Sequence, residues 1–128
     1  MSENADVGKI GWIDMSVDDA PAVRDFYKAV VGWETDEIDM GGYSDYVMKM
    51  PADGNGVSGI CHARGSNADL PSGWLIYIIV ADVVASAALC KENGGKVIVE
   101  PRGLAGGNFC VVEDPGGSVA GLYQPKAD

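Results

Sequence analysis

Histidine is nearly missing from this 128-residue chain, with His62 the single example. Cysteine is scarce too: Cys61, Cys90 and Cys110 stand far apart, and no CxxC occurs. An odd number at such spacing offers neither a disulfide framework nor a zinc knuckle. Each lies in apolar context and reads as a small buried hydrophobe. Positive charge is in short supply, with nine Lys and Arg against nineteen Asp and Glu and a formal charge of −10. The basic residues are scattered, which excludes nucleic acid and anionic membrane as expected partners. No apolar run approaches the ~20 residues that a membrane span needs. The start, from Met1 to Asp6, is polar and acidic. It lacks the basic opening and apolar middle of a secretory leader, so a cytoplasmic location is expected. No serine sits in a nucleophile-elbow pattern, and no glycine run has the order of a phosphate loop.

What is present is ordinary for a globular protein: 47% apolar and 22% charged residues. The length predicts one domain spanning 1–128. Two apolar strands around Glu113-Asp114-Pro115-Gly116-Gly117 read as a hairpin, with Asp114 placed to bond the turn backbone. Lys9 to Val17 reads as a strand, followed by a cap at Asp18 or Asp19 and a helix with Pro21 in its first turn. Val23, Phe26, Tyr27 and Val30 recur at helical spacing and predict its buried face. Gly32 ends it, and strands follow over 33–40, 43–50 and 57–63. The pattern then restarts. A strand over 74–80 leads to a helix capped by Asp82 and stopped at Gly94-Gly95. A strand over 96–100, a Gly-rich loop over 101–108 and the hairpin complete it. Shifted by 63 residues, Val17 falls on Val80, Asp19 on Asp82 and Gly32 on Gly95. The chain is therefore expected to be two copies of one module, 8–64 and 73–125, joined by a loop near 65–72.

These features resemble the vicinal oxygen chelate superfamily of glyoxalases, extradiol dioxygenases and bleomycin-resistance proteins. The resemblance rests on Val17-Asp18-Asp19 leading into Phe26-Tyr27 and Gly32-Trp33, on Asn93-Gly94-Gly95-Lys96-Val97, and on Val112-Glu113-Asp114-Pro115-Gly116-Gly117. It implies an α+β fold in which two tandem βαβββ modules form an open, cup-shaped mixed β-sheet. A homodimer is implied as well. Metal-dependent members take ligands from the first and last strands of each module. Carried over, those positions hold Trp12, Leu75 and Gly121, none of which coordinates a divalent metal through its side chain. The fourth falls near Ile60 to His62. No metal and no other cofactor is expected.

Strand alternation then lines the cup with Trp12, Asp14, Leu75, Tyr77, Gly121 and Tyr123. That describes a pocket for a largely apolar small molecule, with a gap at Gly121. Asp14 reads as a general base or ligand anchor, or else as the partner of Arg64 or Arg102. His62, at a strand end before a polar loop, is the natural titrating group, or else a structural edge histidine. Gly103 to Asn108 is a flap over the cup or a plain connector. Three functions stay open. The first is a ligand-sequestering binding protein of the bleomycin-resistance kind. The second is a metal-free or relocated-site lyase or isomerase with Asp14 and His62 as catalytic pair. The third is a dimeric interaction subunit with a filled cup.

Overall fold

The computed structural model describes residues 5–126. The first four residues of the polar start lie outside that range. The fold is mixed α+β, and its contacts separate two compact units. The first is Trp12–Trp74; the second joins residues 5–11 to 75–126. Residues 5–11 count with the second half of the chain through hydrogen bonds of Gly8 and Lys9 to Ile79, the N–H of Gly8 donating at 2.8 Å and the carbonyl of Lys9 accepting at 2.9 Å.

The first unit holds β1 (Ile10–Val17, whose first two residues count with the second unit), α1 (Ala20–Val31), β2 (Glu34–Asp39), β3 (Ser44–Lys49) and β4 (Gly56–His62). Its strands run in the order β2-β3-β4-β1. β1 and β4 are parallel; the other pairs are antiparallel. α1 starts where Asp19 accepts the Ala22 N–H at 3.1 Å, which satisfies a donor that the helix leaves open. It stops at Gly32, whose φ of 87° suits a residue without Cβ. Alternation along β1 sends Met15 and Val17 toward α1, where Met15, Ala20, Tyr46, Met48 and Ile60 form the core. Val23, Tyr27 and Trp33 close over it. Phe26 and Val30, expected on the same face, are 56% and 65% exposed. The helix turns a stripe centred on Ala20, Val23 and Tyr27 to the sheet; at about 100° per residue Phe26 lies about 90° from its centre, while Val30, about 50° away, sits in the last turn.

The second unit holds β5 (Leu75–Ile79), α2 (Val83–Glu92), β6 (Lys96–Leu104), β7 (Gly107–Glu113) and β8 (Val119–Gln124). Its strand order is β5-β8-β7-β6, with β5 and β8 parallel. Asp82 caps α2 by accepting from Val84 and Ala85. The helix face of the sheet buries Cys110 against Val83 and Ala87, with Val80, Val97, Val112 and Leu122 around them. In the β7–β8 turn, Asp114 accepts from the N–H groups of Gly116 at 2.8 Å and Ser118 at 3.1 Å.

The Gly-rich stretch 101–108, read as a loop and candidate flap, is instead strand. Arg102, Gly103 and Leu104 pair with Phe109, Asn108 and Gly107. The turn is only Ala105-Gly106, both at positive φ (50° and 82°), the conformation that follows the twist of a tight hairpin. Register shifts within β6 absorb Pro101, which has no N–H for the ladder. Composition marked this segment as irregular, and cross-strand pairing overrode it. Among the described residues no helix is long and apolar enough to cross a membrane.

Candidate functional site

β1 and β4 each show one face to α1 and one away from it. The parallel register sets Asp14 opposite Gly59 and Ser16 opposite Cys61. Period-2 alternation then puts Trp12, Asp14, Gly59 and Cys61 on the face away from the helix. Gly59 allows this face its close spacing. A Cβ there would lie 3.1 Å from Asp14 Cβ and 3.5 Å from Trp12 Nε1. Trp12 and Asp14 are half-buried residues standing side by side, and Asp14 also has a partner of its own.

Asp45 extends the polar character of this face. It is 4% exposed, and its Oδ1 accepts the backbone N–H of His62 at 2.8 Å. Cys61 is pushed up to about 12, first by burial and then by the Asp14 and Asp45 carboxylates beside it. That thiol stays protonated and unreactive near neutral pH. Asp45 was not among the residues singled out from sequence. Its signal was the one used for Asp14, an acid inside a half-apolar strand.

The catalytic pair expected from sequence is not assembled. His62 lies opposite Val17 in the register, so its strand position faces the other way from Asp14. The carboxylate near His62 is that of Asp45, 3.5 Å from Nδ1. At that separation and alignment Nδ1 has no hydrogen-bond partner. Arg64, one suggested partner for Asp14, lies instead over the Tyr43 ring at 4.1 Å. Arg102, the other, has its Cζ 5.3 Å from the Phe109 ring centroid, and both it and Asp14 make further interactions. Tyr46 belongs to the core, and Trp74 donates from Nε1 to the Tyr27 hydroxyl at 3.1 Å.

In the second unit Leu75 and Tyr77 are buried. The gap expected at Gly121 does not exist, because the Tyr77 ring fills it. A Cβ on residue 121 would come within 2.6 Å of Tyr77 Cδ1 and 2.7 Å of Cε1. Tyr123 donates its hydroxyl to the Ala105 carbonyl at 3.0 Å, which ties β8 to the β6–β7 turn. That phenol is engaged structurally.

These positions test the metal that the fold implies. Trp12 and Leu75 supply no donor, and a carboxylate side chain at 121 would collide with the Tyr77 ring. Among the described residues no three His, Cys, Asp or Glu side chains gather closely enough to hold an ion. The residues present do not fit the superfamily's metal.

The duplicated strand–helix–strand order and the sheet topology define a glyoxalase-like fold, and the chain belongs to the Glyoxalase/Bleomycin resistance protein/Dioxygenase superfamily, whose description matches residues 9–120. CFP32 of Mycobacterium tuberculosis, provisionally named a glyoxylase, is 30% identical over 122 residues, 94% of this chain and 45% of that protein. The anthracycline biosynthesis protein DnrV of Streptomyces peucetius is 28% identical over 114 residues, 87% of this chain and 39% of its own. The chain thus spans less than half the length of these curated relatives. Among solved structures, a Streptomyces coelicolor methylmalonyl-CoA epimerase variant with bound 2-nitronate-propionyl-CoA superposes with TM-score 0.56 and 24% identity over 94% of this chain and 99% of that one. A Bacillus halodurans protein, BH1468, gives TM-score 0.60 and 18% identity over 94% and 96%. At that identity these structures speak for the fold alone.

Proposed function

We propose that this chain is a small-molecule-binding member of the superfamily that holds its ligand without the superfamily's metal. The ligand is planar and largely apolar, stacks on Trp12 and places a polar or cationic group at Asp14. The observation that carries this reading is the half-buried indole and carboxylate set side by side over Gly59. An aromatic face gives stacking area, and the adjacent acid fixes orientation. Sequestration rather than turnover is the reading favoured, because the expected base and its partner lie on opposite strand faces.

The test uses two probes, metal-free bleomycin and an anthracycline. An anthracycline offers a planar ring system with an amine, and its class is named in the Streptomyces peucetius relative. Tryptophan fluorescence should quench saturably with at least one probe. Trp12→Ala should weaken that binding about tenfold, and Asp14→Asn should weaken it for the amine-bearing probe. Mass spectrometry after prolonged incubation should return the ligand unchanged. Binding that survives Trp12→Ala at full strength refutes the site, and a converted ligand refutes sequestration. A homodimer is part of the same proposal, and would cover Phe26 and Val30. Sedimentation velocity on the wild type and Val30→Glu checks it, with a monomer expected for the variant.

A further inference from the structure

The end of β4 gathers donor groups that the Trp12 face does not use. His62 stands edge-on to Tyr43, ring centroids 5.3 Å apart at 75°. On the same tyrosine the Arg64 guanidinium is stacked, its Cζ 4.1 Å from the ring centroid. One aromatic ring therefore positions both an imidazole and a guanidinium. Asp45 Oδ1 sits 3.5 Å from Nδ1, which is buried and makes no hydrogen bond, so Nε2 is the ring nitrogen left to meet a ligand. The His62 side chain keeps 14% of its surface accessible.

Arg64 is the unusual member. In a chain with nineteen acids and nine bases a guanidinium has many carboxylates available, and Arg24 takes Asp25 at 2.9 Å. Among the described residues none pairs with Arg64, which is exposed and held flat by cation–π contact. The Tyr43 hydroxyl likewise has no acceptor among the described residues. It lies near Gly65, where a Cβ would be 3.5 Å away. Two donor groups, an imidazole and a guanidinium, thus flank a ring that carries a third, the hydroxyl. The nearby acid is turned inward: Asp45 is buried and occupied by the His62 N–H.

The geometry points to an anion-binding site formed by Arg64, His62 Nε2 and the Tyr43 hydroxyl, taking a ligand that carries a carboxylate or phosphate group. A guanidinium fork suits either group, and stacking on Tyr43 removes part of the ordering cost of a free arginine.

Because His62 is the only histidine, its ring gives an isolated NMR signal. The full chain is titrated at fixed pH with sodium phosphate, sodium acetate and, at matched ionic strength, sodium chloride. A saturable shift with phosphate or acetate that chloride does not reproduce is expected. Saturation by phosphate alone assigns a phosphate-bearing ligand, and by acetate alone a carboxylate. Arg64→Gln should weaken the response about tenfold, and Tyr43→Phe should weaken it less. Arg64 is exposed, so the thermal midpoint of Arg64→Gln should not move, which separates loss of site from loss of fold. A shift that chloride reproduces, no saturation by either anion, or an undiminished response in Arg64→Gln overturns the site.

Discussion

Gly121 is the position at which a single added methyl group tests the packing argument most directly. Its φ is not in the left-handed region, so alanine meets no backbone penalty there. The cost of Gly121→Ala is therefore steric. The new Cβ would lie 2.6 Å from Tyr77 Cδ1, and Tyr77 cannot swing freely because it is 6% exposed and packs 6.3 Å from the Phe109 ring. Overpacking of this kind costs about 1–3 kcal/mol. Alanine also stiffens the unfolded chain, which returns about 0.4–1 kcal/mol. The net expectation is a destabilisation of about 1–2 kcal/mol. Urea unfolding followed by circular dichroism measures it, and Tyr77→Ala supplies the control. In that background the ring is gone, so Gly121→Ala should cost nothing or become slightly stabilising, with a coupling of about 1–3 kcal/mol in the double-mutant cycle. A wild-type-like midpoint for Gly121→Ala alone, or equal costs in both backgrounds, would show that Tyr77 does not fill the site.

Asp45→Asn should destabilise the fold by about 1–3 kcal/mol at pH 7, since a buried carboxylate that accepts the His62 N–H is replaced by an amide with its own donors to satisfy; an unchanged urea midpoint refutes this. Cys61 and Cys110, raised from the ordinary thiol value of 9.0 to about 12 and about 11, make the folded state hold protons that the unfolded chain gives up. Their contribution is complete below pH 9.0 and is lost as pH rises toward about 11 for Cys110 and about 12 for Cys61, so Cys61→Ala should flatten the alkaline fall of the urea midpoint. Parallel alkaline curves for variant and wild type rule that out. At the β6–β7 turn, Ala105→Asn creates the Asn-Gly pair that such turns favour. It relieves alanine at φ 50° and should raise stability by about 0.5–1 kcal/mol, and a lowered thermal midpoint contradicts the turn assignment.

The helices and the duplicated order were legible because their signals are local. Asp19 and Asp82 announce their helices by an acid before an apolar run, and Gly32 marks a stop that only its left-handed φ requires. The β6–β7 hairpin was hidden because its pairing depends on partners: Gly103 opposite Asn108 carries no β signal alone. The site was legible in part. Trp12 and Asp14 share a face, as alternation predicts. The pairing of Asp14 with His62 failed for a reason of parity. In a parallel pair with Asp14 opposite Gly59, a residue three further on changes face. Asp45 carried the same acid-in-a-strand signal as Asp14, and only the β3–β4 pairing revealed that it serves His62 and Cys61.

The two units keep the same scaffold and differ on the face away from their helices. In both, an aspartate caps the helix and the first strand runs parallel to the last. In the first unit that face carries Asp14, Cys61 and Asp45; in the second it carries Tyr77, Val99, Phe109 and Val111, all nearly inaccessible. The helix faces keep the same apolar packing in both units, whereas the other faces differ in chemistry. At Gly121, where the resemblance implies a ligand, the Tyr77 ring closes the position. With the ring in that space, placing a donor side chain at 121 alone produces a clash, so building a metal site there needs the ring removed as well.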